Sequence, residues 1–193
     1  NAESENEIKE IEKIAKKKNK KINIGIRLNP DTDAKTLKEI STGKEENKFG
    51  LTKKKFLYLI KKYKNSNFIN ITCLSVHIGS QITNHIPYKR MLDVINKTIN
   101  EAKYKFSYID LGGGMGIQYK KNSNKLNYKK YSSLIKSFLK KNDVKIIFEP
   151  GRSIIGNVGY LLSKIIYIKQ TKKRNFIILD SAMNDMMRPA LYK

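Results

Sequence analysis

The chain has 193 residues, 30% charged and 39% hydrophobic, which is enough for one domain with a real core and excludes a disulfide-stapled miniprotein. Its single cysteine, Cys73, lies in an apolar run, so neither a disulfide framework nor a cysteine zinc site is available, and a reducing, cytoplasmic setting is expected. The net charge of +23 invites a nucleic-acid reading, but only five of the 40 basic residues are Arg and the lysines are scattered through every segment, so no specific nucleic-acid partner is expected.

No stretch approaches the roughly 18 apolar residues of a membrane span, and residues 1–10 lack both regions of a secretory signal. No membrane association is therefore expected. The first residue is Asn rather than Met, so the chain is expected to be an excerpt of a longer protein.

Apolar periodicity alternates between helix and strand. An opening helix, with Ile8, Ile11 and either Ile14 or Ala15 inward, precedes a strand over residues 22–28. Thr52 is a helix cap, with Phe56, Ile60 and Tyr63 on one face. Residues 69–76 form a nearly continuous apolar, β-branched run, the pattern of a parallel strand buried on both faces. A helix from about Pro87 carries Leu92, Ile95, Ile99 and Ala102 at helical spacing. A strand over 106–111, a helix over 131–139 and a strand over 144–148 follow. After Gly156 the pattern becomes two strands, 160–168 and 176–179, around a charged turn, with no helix between them.

Repeated strand–helix units mean a parallel sheet, either doubly wound or closed into a barrel. A full eight-unit barrel needs about 300 residues, and this chain holds four units. In such folds chemistry collects beyond the carboxyl ends of the strands. Here the four strands run into Arg27-Leu28-Asn29-Pro30, His77-Ile78-Gly79-Ser80-Gln81, Asp110-Leu111-Gly112-Gly113-Gly114 and Glu149-Pro150-Gly151-Arg152. The glycines Gly112, Gly113 and Gly114 either cradle an anion on their backbone N–H groups or simply make a tight turn. Glu149 either pairs internally with Arg152 or faces a protonated ring nitrogen, and Arg152 suits a carboxylate or phosphate. His77, one of two histidines, is either a satisfied core residue or a stacking surface for a flat group. No metal site is expected, since neither histidine has a helical partner or clustered carboxylates.

The ordered set RLNP, KFG (Lys48, Phe49, Gly50), HIGSQ, DLGGGMGI, EPGRS and RPALY (residues 188–192) resembles the diaminopimelate decarboxylase family. These are alanine-racemase-like, fold-type III enzymes dependent on pyridoxal 5'-phosphate (PLP). The resemblance covers nearly the whole chain. It implies an α/β fold in which residues 1–156 are the C-terminal half of a PLP-binding (β/α)8 TIM barrel and residues 157–193 begin a C-terminal β-domain. By that resemblance His77 lies against the PLP ring, and Ser80 contacts the phosphate. Gly112, Gly113 and Gly114, with Gly151 and Arg152, supply further phosphate contacts, and Glu149 pairs with the ring nitrogen. Arg152, Arg188 and Tyr192 bind the substrate, meso-2,6-diaminopimelate. The implied reaction is its decarboxylation to L-lysine and CO2, by a homodimer with shared active sites. The Schiff-base lysine and the proton-donating cysteine are expected outside these residues, and Cys73 does not match the latter. The alternatives are a related ornithine- or arginine-type decarboxylase of the same fold, a PLP-binding protein without catalysis, and a basic nucleic-acid-binding module.

Overall fold

A computed structural model describes residues 1–34, 49–187 and 191, and divides the chain into two compact units, Asn1–Gly156 and Asn157–Lys193.

The first unit alternates helix and strand: α1 (Glu5–Lys17), β1 (Ile22–Arg27), α2 (Lys53–Tyr63), β2 (Ile69–Ser75), α3 (Ile86–Ala102), β3 (Tyr108–Asp110), α4 (Tyr128–Leu139), β4 (Lys145–Ile147) and the single turn α5 (Arg152–Ile155). Local chemistry starts these helices. The Ser4, Thr52 and Asn127 side chains accept from the backbone N–H of Glu7, Lys55 and Lys130, capping α1, α2 and α4. Asn127 explains why α4 begins at Tyr128 rather than at Tyr131, where the apolar stripe starts. In α1 it is Ala15 that is buried, while Ile14 is 60% exposed.

The strands form one parallel sheet in the order β1-β2-β3-β4. Right-handed crossovers in sequential order place the crossover helices α2, α3 and α4 on the same face, which is the winding of a barrel wall. Ala2 extends this sheet, bridging in parallel to Ile26 on the edge of β1 opposite β2.

A register shift between Ile24 and Gly25 explains the near-continuous apolar run of β2. Ile24 pairs with Ile71 but Gly25 pairs with Cys73, leaving Thr72 as the extra residue of a bulge. Before the bulge Ile69 and Ile71 face the helices, and after it Leu74 and Val76 do. They meet Phe56, Leu59 and Ile60 of α2 and Tyr88, Met91 and Ile95 of α3 in one core. The other face carries Arg27, Cys73, Ser75, Tyr108, Asp110 and Ile147.

The second unit is an antiparallel hairpin, β5 (Ile165–Gln170) with β6 (Asn175–Leu179). Thr171 closes its turn, its hydroxyl donating to the Arg174 carbonyl at 2.6 Å. The first strand starts at Ile165, preceded by Ser163 and Lys164, which bond to Asp180 just past the end of β6. No helix among the described residues is long and apolar enough to cross a membrane.

Candidate functional site

The sheet register sets out the site in rows. Arg27 pairs with Ser75, Ser75 with Asp110, and Asp110 with Ile147, so these four share one row on the open face. The ladder continues past the named strands through Leu28 N–H to Ser75 O, Val76 N–H to Asp110 O, Leu111 N–H to Ile147 O and Glu149 N–H to Gly112 O. Two residues on, the next row therefore holds Asn29, His77, Gly112 and Glu149. Four strand ends that are distant in sequence thus deliver their polar groups to one rim.

His77 is half-buried, and its Nδ1 accepts the N–H of Gly113 at 3.2 Å. Burial first, and the Arg27 charge second, hold the imidazole below its ordinary value, so the ring is neutral with its proton on Nε2. Gly112 and Gly114 have φ of 63° and 86°, and the loop they form packs directly on its neighbours. A Cβ at Gly113 would strike the Glu149 carbonyl, whereas one at Gly151 would meet nothing within 4 Å. The Ser80 hydroxyl, half-buried on the same rim, has no hydrogen-bond partner among the described residues.

Arg152 does not pair with Glu149. Its Nη1 donates to Gln81 Oε1 at 3.3 Å, and its guanidinium lies 5.9 Å from the Tyr119 ring centroid. Gln81 is the fastener of this corner. With φ at 61°, it donates to the Ile117 carbonyl at 2.6 Å and accepts the Ile117 N–H at 3.2 Å. Glu149 instead sits beside Asp110. Partial burial and the neighbouring Asp110 carboxyl raise the Glu149 carboxyl above its ordinary value. Asp110 is 2% exposed. Its Oδ1 accepts the Gly112 N–H at 2.9 Å, and its Oδ2 accepts from Asn1 Nδ2 at 2.8 Å and Ser75 Oγ at 3.3 Å. At the adjoining edge Glu3 bonds Arg27 Nη1 at 2.6 Å and the Gly50 N–H at 3.1 Å.

His77, Ser80, Gly112, Gly113, Gly114, Glu149, Gly151 and Arg152 therefore all lie on or beside this rim. Arg188 and Tyr192, and Lys48 of the KFG stretch, lie outside the described residues. Sequence reasoning gave no role to Asn1, Glu3, Gln81 or Asp110. For Asp110 a signal existed, an acid at the end of an apolar strand directly before the glycine run. Cys73 is buried in β2, where burial and nearby Asp110 push its thiol up to about 11, so it is no reactive thiolate. No cluster of histidine, cysteine and acidic side chains fit for a metal occurs among the described residues.

Residues 1–156 match the family described as pyridoxal-dependent decarboxylase, pyridoxal binding domain. Across its whole length the chain is 39% identical to a diaminopimelate decarboxylase of Zymomonas mobilis and 37% identical to one of Aquifex aeolicus, covering 47% and 46% of those proteins. The chain thus spans about half the length of the curated relatives it matches. The structure is similar to that of Helicobacter pylori diaminopimelate decarboxylase complexed with L-lysine, with a TM-score of 0.91 and 38% identity over 98% of this chain and 48% of that one. A lysine decarboxylase of Selenomonas ruminantium, 22% identical with a TM-score of 0.75, shares the fold.

Proposed function

Because the chain belongs to the pyridoxal-dependent decarboxylase family, through its pyridoxal-binding domain, we propose that it is part of an enzyme that converts meso-2,6-diaminopimelate to L-lysine and CO2. The observation that carries this reading is the common rim on which a neutral His77, the 112–114 loop, Glu149 and Arg152 converge. In support, the relatives that match the entire chain are named diaminopimelate decarboxylases, and one was solved with lysine bound.

The rim fits PLP by its own chemistry. His77 offers a flat uncharged ring, Glu149 offers a carboxyl to a ring nitrogen, and the open space at Gly151 leaves its backbone accessible beside the Arg152 fork. The Ser80 hydroxyl, without a hydrogen-bond partner among the described residues, can donate to a phosphate. Bound PLP supplies the electron sink for the electrons left behind when CO2 departs. Around it His77 packs the ring and excludes water, Glu149 holds a proton at the ring nitrogen, and Ser80, the 112–114 amides, Gly151 and Arg152 bind the phosphate. Arg152, Arg188 and Tyr192 bind the substrate, chiefly its carboxylate remote from the reacting carbon. The cofactor-bearing lysine and the proton-donating cysteine are assigned to the remainder of the parent protein, which we place in the cytoplasm as a homodimer with shared active sites.

The test is the full-length protein with PLP, offered meso-diaminopimelate, ornithine and arginine in parallel. Lysine from the first and no diamine from the others is the expected result. Diamine formation would move the reading to a basic-amino-acid decarboxylase of the same fold, and the absence of a PLP absorbance band would overturn it.

A further inference from the structure

Asp110 is the one buried acidic side chain among the described residues of the sheet, and the site reading above gives it no task. Burying a carboxyl is costly unless its oxygens are satisfied. Here both are: Gly112 N–H bonds Oδ1, and Asn1 Nδ2 and Ser75 Oγ bond Oδ2. These donors come from residue 1, from β2 and from the glycine loop, so the group is held from several sides. Gly112 also links it to Glu149 directly, because the residue whose N–H reaches Asp110 uses its own carbonyl to accept the Glu149 N–H at 2.9 Å. The pairing of Asp110 with Ile147 puts Glu149 one row above on the same face.

Resting on the cofactor reading above, we propose that Asp110 is a positioning residue that keeps a proton on Glu149 and, once a basic ring nitrogen is bound there, on that nitrogen. Two carboxyls in contact cannot both ionise without repulsion, so they share a proton. Asp110 already accepts on both oxygens, which leaves Glu149 as the member that carries the proton and donates. When a pyridine nitrogen arrives, the Glu149 O–H bond breaks and an N–H bond forms at the ring. A protonated ring held there would be paired by the Glu149 carboxylate, with Asp110 one row below on the same face. A second acid at short range, itself buried, strengthens the hold on that ring proton. The raised Glu149 carboxyl agrees with this arrangement. The other groups facing the pair are Arg27 of β1, which opposes the rise, together with His77 and Cys73.

The test needs no turnover. In the full-length protein without cofactor, a carbon-13 NMR titration of the side-chain carboxyls should show Glu149 titrating above an ordinary glutamate, and Asp110→Asn should bring it down. A Glu149 that titrates as an ordinary glutamate, or that is unmoved by Asp110→Asn, overturns the proposal. With nitrogen-15-labelled PLP bound, the ring nitrogen should stay protonated to higher pH in the wild type than in Asp110→Asn, and equal pH dependence overturns the proposal as well. Because the wild-type titration is read without a variant, a misfolded Asp110→Asn does not remove the test. A raised, Asp110-dependent Glu149 titration together with a ring nitrogen that makes no contact to Glu149 would instead overturn the cofactor placement.

Discussion

Replacing Gly113 by Ala tests the way the strand ends lock together. The added Cβ would fall within 3.0 Å of the Glu149 carbonyl oxygen and 3.1 Å from its carbonyl carbon. Both partners are main chain, so no rotamer change relieves the clash. Relief requires the end of β4 to move away from the glycine loop, which strains the Glu149 N–H to Gly112 O bond of 2.9 Å and the Gly113 N–H to His77 Nδ1 bond of 3.2 Å. Overpacking of this kind costs about 1–3 kcal/mol. With a urea dependence of about 1–3 kcal/mol per molar, the unfolding midpoint should drop by about 1 M. Gly151→Ala is the matched control. Its Cβ meets nothing within 4 Å, so no packing clash is added and its midpoint should fall by less than that of Gly113→Ala. Urea melts of the full-length protein and both variants, each without PLP, decide the matter. Equal midpoints for the two variants would refute the close-packed rim.

The remaining predictions concern charge and chemistry. His77 is held below the ordinary histidine value of 6.5 by burial and Arg27. The unfolded chain therefore takes up a proton first as the pH falls, and stability present above 6.5 is lost as the pH descends through the lowered folded value. In His77→Gln that part of the decline should vanish from urea midpoints measured against pH; an unchanged profile would mean that His77 titrates normally. Glu149→Gln should retain PLP, visible in its absorbance, while kcat falls by at least about 10²-fold through loss of ring-nitrogen stabilisation. Near-normal turnover would remove Glu149 from that role. Arg188→Ala should lower kcat/KM for meso-diaminopimelate by about 10²-fold, the scale of one charge-assisted contact, and an unchanged kcat/KM would take Arg188 out of the substrate site.

Much of the barrel wall was legible because its signals are local. Helix faces, capping residues and apolar runs place α1 to α4 and the parallel strands to within a few residues. The rim was legible in part for the same reason, since His77, the glycine run and Glu149 each stand directly after an apolar run. What stayed hidden depends on register. The bulge at Thr72 follows from pairing with β1, and no local pattern marks it. Gln81 fastens Ile117 and Arg152 across 36 and 71 residues of chain, and Asn1 reaches Asp110 across 109. Such contacts exist only once the sheet has assembled. Residues 160–162 misled for the converse reason, since apolar composition alone does not supply a strand partner.

The most direct test of the central claim, that these strand ends form the cofactor site, is a crystal structure of the full-length protein with PLP. The account predicts the ring against His77 with its nitrogen facing Glu149, and the phosphate among Ser80, the 112–114 amides, Gly151 and Arg152. PLP bound away from this rim, or with its nitrogen turned from Glu149, would contradict it.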